Sequence, residues 1–445
     1  MKFIFSIALF FILPVYSLAQ KADDILATAT GLTFTPGALN ENVRKAYLSQ
    51  NELVAQERKN SLATVVREIL TEAEAKAAGT TADALIAAEL KKAPMPRAAE
   101  IKTVFDANRA AFGERTLAQV QSQIVAFLKN NAEQNALKEL VEKLKTKHKF
   151  VPGKDVNGSG LKPSDVLFTA AGRPYTAGEF DERFKAHFYD VLSEVYDETV
   201  YDLQNSIFSA LVAQEARTRN IDTGDLIAVE VTNKLRDFSD EERAKLEEAL
   251  QKKLSEKYSV KILLKEPEPV AHAVTADDDP VFGKAAAPVT VIMFSDFQCS
   301  ACSATHPVLK KLLAAYPDTV RLVVRDFPLE SVHPNAFRSA IAANAARAQG
   351  KFFEYIDVLY ANQSSLDDAS LKKYAQEFGL NQKQFELDLA SENAAAEIRK
   401  DMADGVRFGA SGTPTIFVNG VRVHHVSFDT LNRAVERASG RTASK

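Results

Sequence analysis

The chain has 445 residues and two cysteines, which stand together as Cys299-Ser300-Ala301-Cys302. Sulfurs at this spacing can exchange disulfides, hold part of a metal site, or staple a turn. A closed zinc site takes four ligands, and none of the seven histidines falls at ligand spacing from these sulfurs. A staple across so short a loop removes little entropy from the unfolded chain and stabilises little. Reversible disulfide chemistry uses both residues and is the reading that the pattern favours, with the zinc site and the inert staple as its alternatives.

The elements needed to position such a pair are legible around it. Val289 to Phe294 is an apolar, β-branched run that reads as a buried strand, and Cys302 to Ala315 carries apolar residues at helical spacing. Cys299 is therefore expected at a strand-to-helix turn, where the unpaired amides of the helix N-terminus stabilise a thiolate. Far away in sequence, Gly412-Thr413-Pro414-Thr415-Ile416-Phe417-Val418-Asn419-Gly420 reads as a proline, a strand and an Asn-Gly hairpin turn. Between the two stretches come a strand at Thr319 to Arg325 and a long helical region from Pro334 to about Val406. After them come a hairpin to Val423 and a last helix at Phe428 to Ala438.

Ser295-Asp296-Phe297-Gln298-Cys299-x-x-Cys302, Arg325-Asp326-Phe327-Pro328-Leu329, His333-Pro334-Asn335-Ala336, Gln349-Gly350-Lys351-Phe352-Phe353 and Gly412-Thr413-Pro414-Thr415 follow one another in an order that resembles the DsbA-like branch of the thioredoxin superfamily. The resemblance covers about Asp279 to Ala438. It implies an α/β thioredoxin fold with a helical insertion and a catalytic pair Cys299 and Cys302. It also implies a cis-proline, Pro414, facing the dithiol, with the Thr413 backbone binding the substrate strand, and no metal or organic cofactor. Two departures are visible. The Ser300-Ala301 dipeptide lacks a histidine beside Cys299, and Met293 occupies the strand position where thioredoxin-like proteins often place a buried acid.

Met1-Lys2, the apolar run Phe3 to Val15 and Ser17-Leu18-Ala19 read as a secretory signal over residues 1–19. The run is shorter than the ~20 residues a spanning helix needs, so no stable membrane span is expected. Export favours an oxidising compartment, here the periplasm. A net charge of −4 without a basic block gives no reason to expect a nucleic-acid partner.

The fold class expected is mixed, with an all-α N-terminal region before the α/β domain. Helical patterns run over Leu39 to Lys59, Ser61 to Ala78, Ala82 to Lys91, Glu100 to Ala111 and Leu117 to Lys147. Gly79 is the expected C-cap and Thr81 the next N-cap. Sliding the chain by 141 residues gives 14 identities in 60 ungapped positions, among them Gly31 on Gly172, Glu74 on Glu215 and Leu85-Ile86-Ala87 on Leu226-Ile227-Ala228. This reads as a duplication, 20–150 and 151–265. Each copy resembles the helical N-terminal domain of SurA-type periplasmic chaperones, carrying a Gly-x-x-(Phe/Tyr)-Thr start and helices that close on a strand-like tail. Residues 266–280, rich in Pro, Glu, Ala and Asp, read as a linker to a domain at 281–440. His148 and His187 are expected to be structural or exposed. His306 falls either on the dithiol face of its helix or at a surface kink before Pro307.

Together these features describe an exported thiol:disulfide oxidoreductase acting on unfolded or cysteine-containing exported proteins. A redox partner resets its dithiol, and the helical region holds clients. The alternatives are a chaperone or assembly protein whose C-terminal domain mainly binds, and an isomerase or reductase in which the helical region makes a homodimer.

Overall fold

The structure is a computed structural model describing residues 21–440; the expected signal over 1–19 lies outside them. In chain order the first elements are β1 (Ala27–Ala29), β2 (Leu32–Phe34), α1 (Glu41–Leu48), α2 (Gln50–Ala78), α3 (Ala82–Leu90), α4 (Ala98–Ala107), α5 (Arg109–Phe112), α6 (Leu117–Lys147), β3 (Val151–Pro152), β4 (Val166–Ala170), β5 (Arg173–Thr176), α7 (Ala177–Arg219), α8 (Thr223–Glu230), α9 (Asp240–Lys257) and β6 (Lys261–Ile262). Then follow β7 (Val281–Phe282), β8 (Val289–Ser295), α10 (Ser300–Ala315), β9 (Val320–Asp326), α11 (Ala336–Ala348), α12 (Phe352–Ala361), α13 (Asp368–Glu377), α14 (Gln382–Leu389), α15 (Glu392–Arg407), β10 (Thr415–Val418), β11 (Val421–Val423) and α16 (Phe428–Ala438).

Local chemistry sets many of these ends. Gly79, at φ +65°, supplies the left-handed residue that closes α2, and the Thr81 hydroxyl accepts from the Ala84 amide to start α3. The helix break expected near Asn60 is absent. It falls instead at Ser49, whose hydroxyl donates to the Lys45 carbonyl, while α2 contains neither proline nor glycine to interrupt it.

The region before residue 266 is helix-rich but not all-α, which corrects the expected class. It contains two three-stranded antiparallel sheets, in the orders β2-β1-β6 and β3-β4-β5. Their strands have two to five residues, too few for a period-two pattern to stand out in a helical background. The chain divides into two compact units. One is Glu52–Lys185, and the other joins the residues up to Asn51 to those from Ala186 onward.

Within Glu52–Lys185, the hairpin β4-β5 turns at Gly172 (φ +78°) and receives β3 through Val151↔Thr169. The Glu74 carboxylate accepts from Lys147 Nζ at 2.7 Å and bonds His148 Nε2 at 2.9 Å, and the His148 carbonyl accepts from the Ala171 amide at 3.0 Å. Within the other unit, the hairpin β1-β2 turns at Gly31 (φ +77°) and receives β6 through Ala27↔Ile262. Glu215 accepts from Lys257 Nζ at 2.5 Å and Tyr258 Oη at 2.8 Å, and the Tyr258 carbonyl accepts from the Thr30 amide at 2.7 Å.

From β7 onward a five-stranded sheet in the order β11-β10-β8-β9-β7 forms the framework. β8 and β9 run parallel and the other pairs antiparallel. β8 is buried nearly throughout, as a central strand must be. One face, with Met293 and Val324, packs under α10, α11, α12 and α16; the other, with Ile292, Phe294 and Val323, packs with Phe327, Phe408 and Phe417. The five helices α11–α15 form the insertion expected between the second strand and the proline strand.

The expected linker, residues 266–280, has no helix or strand, but from His272 onward it packs against its neighbours. The His272 amide donates to the Gly420 carbonyl at 2.8 Å. This approach depends on Gly420 (φ +82°), where a Cβ would meet the His272 carbonyl at 2.4 Å. The His272 ring bonds Asp190 of α7 at 2.8 Å, and Val274 and Ala276 join the Phe294 side of the core. Asp279 stands 2.9 Å from the buried Arg325 guanidinium, which also pairs with Asp401 and, at 3.0 Å, with Asp404 of α15.

His424 joins the same contact by bonding Ser193 of α7 at 2.9 Å. Burial, assisted by Arg422, holds its imidazole down at about 4 from the ordinary 6.5. A depressed histidine keeps its stabilising effect above the unfolded-state value and loses it as pH falls through about 6.5 toward 4. His424→Gln retains a polar partner for Ser193 but cannot become charged. Thermal unfolding scans between pH 7 and 4 are expected to show a shallower fall in Tm for H424Q than for the unmodified chain.

Candidate active site

β8 ends at Ser295, and four residues later Cys299 serves as N-cap of α10. The intervening turn is held by Asp296. Its buried carboxylate accepts from the Gln298 amide at 2.7 Å and the Leu329 amide at 2.9 Å, and bonds His333 Nδ1 at 2.7 Å. From another side, the Gln363 side-chain amide donates to the carbonyls of Phe297 at 3.0 Å and Cys299 at 2.8 Å. Phe297 packs its ring at 5.4 Å from that of Tyr360, closing the turn onto α12.

The two sulfurs differ in surroundings although one helical turn separates them. Cys302 is 0% exposed and Cys299 8%; both are free thiols. The Cys299 thiol donates to the Thr413 carbonyl at 3.4 Å, and the Thr413–Pro414 peptide bond is cis. The structure thus brings together Cys299, Cys302, Thr413 and Pro414, which are separated by more than a hundred residues of chain.

A hydrogen bond from the Cys302 thiol is the largest influence on Cys299. With the Thr413 side chain and the backbone amides of Cys302 and Ala301, it pulls the Cys299 thiol down to about 5 against the opposing effect of burial. Those two amides belong to the first turn of α10 and are the donors an N-cap side chain receives. Burial pushes Cys302 well above the ordinary thiol range, with the Asp296 backbone and the Ser295 hydroxyl acting weakly against it. The asymmetry supplies one sulfur that ionises readily and one held as a thiol.

The missing histidine of the Cys-Ser-Ala-Cys dipeptide is thus compensated by hydrogen bonds rather than by a neighbouring positive charge. Met293 is fully buried. His306 is buried, not at the surface; its Nε2 bonds Asp357 at 2.5 Å, and its ring lies 4.9 Å from that of Tyr360. His333 reaches the dithiol turn through Asp296, while His424 and His425 sit beside α7 instead. Tyr360 and Gln363 escaped the sequence reading, and Ser295 entered it only as the first residue of a motif. Ser295 and Tyr360 lie in apolar runs, and Gln363 lies in a loop with no motif. Among the described residues, no three His, Cys, Asp or Glu side chains gather where a metal ion could sit.

Residues 275–437 match the family model described as thioredoxin, so the C-terminal part of the chain is a thioredoxin-like domain. Among curated relatives, a Na(+)/H(+) antiporter NhaA 3 of Salinispora tropica is 41% identical over 166 residues, 37% of this chain and 25% of that protein. NhaA 1 of Mycolicibacterium vanbaalenii is 35% identical over 181 residues, 39% of this chain and 29% of that protein. The chain spans less than a third of the length of these curated relatives, and among the described residues no helix is long and apolar enough to cross a membrane. A thioredoxin-like oxidoreductase from Silicibacter pomeroyi shares 31% identity, 37% of this chain and 94% of that one, with a TM-score of 0.35. BdbD from Bacillus subtilis shares 20% identity, 39% of this chain and 98% of that one, also with a TM-score of 0.35.

Because the Cys302 thiol is the leading stabiliser of the Cys299 thiolate, Cys302→Ala is expected to move the Cys299 titration upward from about 5 toward the ordinary thiol value. Thiolate absorbance followed against pH, with the rate of alkylation by iodoacetamide, measures the shift.

Proposed function

We infer, from the thioredoxin-like domain over residues 275–437 and the unequal surroundings of its two sulfurs, that the chain is a thiol:disulfide oxidoreductase working through Cys299 and Cys302. The observation that carries this reading is Cys299 at the N-cap of α10, bonded to the Thr413 carbonyl, beside a fully buried Cys302. A client thiolate attacks Cys299 Sγ of the oxidised pair. The Cys299–Cys302 bond breaks, its electron pair goes to Cys302, and a mixed disulfide with the client forms. A second client thiolate then attacks the client sulfur and releases Cys299 as the stabilised thiolate.

Direction follows from the same asymmetry. Stabilising the Cys299 thiolate stabilises the reduced protein, so the disulfide is passed on to the client. Thr413 and the cis-Pro414 stand beside Cys299, where a client backbone must lie for its sulfur to reach Cys299 Sγ. No metal or organic cofactor enters the scheme, and a redox partner reoxidises the dithiol. Clients are cysteine-containing exported proteins. The signal-like segment 1–19 supports delivery to a compartment such as the periplasm, where disulfides persist.

The region before residue 266 is read as a duplication with a client-holding role. Its support is the 141-residue offset, the matched glycine turns at Gly31 and Gly172, and the matched acid sites at Glu74 and Glu215. The sheet β2-β1-β6 joins the hairpin of the first copy to the tail of the second. Holding a client there raises its concentration at the dithiol.

Equilibration in glutathione buffers is expected to give a reduction potential of about −120 to −180 mV, whereas about −270 mV would assign a reductase. Cys299→Ser is expected to bring oxidative refolding of a reduced client down to the uncatalysed rate. A variant that still accelerates refolding would remove Cys299 from the chemistry.

A further inference from the structure

Cys302 sits in a dry core, yet its sulfur must alternate between thiol and bonded sulfide in every turnover. A bare thiolate there is costly, so a proton has to arrive or leave as the bond changes. The strand position of Met293 offers no acid, and Asp296 has its carboxylate committed to Gln298, Leu329 and His333.

The sheet supplies another acid. Ser295 and Asp326 are register partners at the C-terminal ends of the parallel strands β8 and β9. Side chains of adjacent parallel strands at matched positions lie on the same face, about 4.8 Å apart. That face is the one beneath Cys302, because Met293 and Val324, two residues earlier on each strand, share its core cluster. Arg325 points to the opposite face, over the Phe294 ring at 5.1 Å. Ser295 is 1% exposed and its hydroxyl shares a hydrogen bond of 2.5 Å with Tyr360 Oη. The Asp326 carboxylate accepts from Asn344 Nδ2 at 2.6 Å and is 6% exposed. The Ser295 hydroxyl thus acts on the Cys302 thiol, and Asp326 is its register partner on the neighbouring strand.

We propose that Asp326, acting through the Ser295 hydroxyl, exchanges the proton of Cys302 during disulfide transfer. The proposal rests on the disulfide-exchange reading and assigns the proton step within it. When a client thiolate breaks the Cys299–Cys302 bond, Cys302 Sγ receives the electron pair and takes the Ser295 hydroxyl proton, and Ser295 is reprotonated by the Asp326 carboxyl. In the reverse direction, Cys302 gives its proton through Ser295 to the Asp326 carboxylate. The resulting thiolate attacks Cys299 Sγ of the mixed disulfide, and the leaving sulfur carries away the electron pair.

The groups around Asp326 suit both directions. Burial and then Asp401 of α15 raise its carboxyl to about 7, while Asn344 and Arg347 of α11 and Arg325 of β9 act the other way. Both protonation states are therefore populated near neutrality, as proton transfer requires. Tyr360 is pushed up by burial, with Cys302 and Asp326 both contributing, and stays a phenol that orients Ser295.

The test uses the full chain, reduced, and an aromatic disulfide that releases coloured thionitrobenzoate. The first release reports attack by Cys299; the second reports attack by Cys302 on the mixed disulfide. For the unmodified protein, the second rate is expected to rise through about pH 7 and then level. In Asp326→Asn, this limb is expected to disappear and the rate at pH 7 to fall by about 100-fold or more, leaving the first release unchanged. Ser295→Ala should do the same, and it decides the question alone if D326N fails to fold. A second release with the unmodified pH profile in S295A, or in a folded D326N, overturns the assignment while leaving disulfide exchange intact. Absence of the first release in the unmodified protein removes the exchange reading itself, and the assignment with it.

Discussion

The site depends on a difference in solvation between two sulfurs one helical turn apart. Cys299 caps the N-terminus of α10 and collects the backbone amides of Ala301 and Cys302, so a negative charge there is hydrogen-bonded on formation. Cys302, on the third residue of the helix, belongs to the apolar cluster and is fully buried, so a charge there is disfavoured. Helix geometry alone creates this contrast. The same turn of backbone that points amides at the first sulfur turns the second inward.

Holding the contrast requires the turn before α10 to stay in place. Asp296 is tied to Leu329 and His333 beyond β9, and Gln363 reaches in from the end of α12. The contact with Thr413 comes from a third direction, through the loop before β10. The inserted helices therefore do more than enlarge the fold. They bury the thiol that must stay protonated and supply the side chains that pin the loop carrying its partner.

The packed strap at 266–280 and the histidines around Asp190, Ser193 and Glu198 attach this domain to α7 by polar contacts that are mostly buried. Buried polar contacts are specific because each unpaired member is costly. The strap has the composition of a linker, and its contacts are not visible in composition. His272 and Asp279 in it acquire partners only from chain lying before and after it.

The sequence by itself determined the dithiol, the strand before it, the helix after it and the proline strand. Each rests on a local pattern: a spacing of two cysteines, a β-branched apolar run, a helical period, an Asn-Gly turn. It also carried the repeated signature of Gly31 with Gly172 and Glu74 with Glu215, since an offset needs no coordinates. Only tertiary structure decided that two small sheets join the helices, that His306 is buried against Asp357, and that Ser295 and Asp326 are partners across adjacent strands. The physical reason is the same in each case. A strand of two or three residues, an ion pair or a cross-strand neighbour is made by contacts between distant parts of the chain, and such contacts leave no period in the sequence.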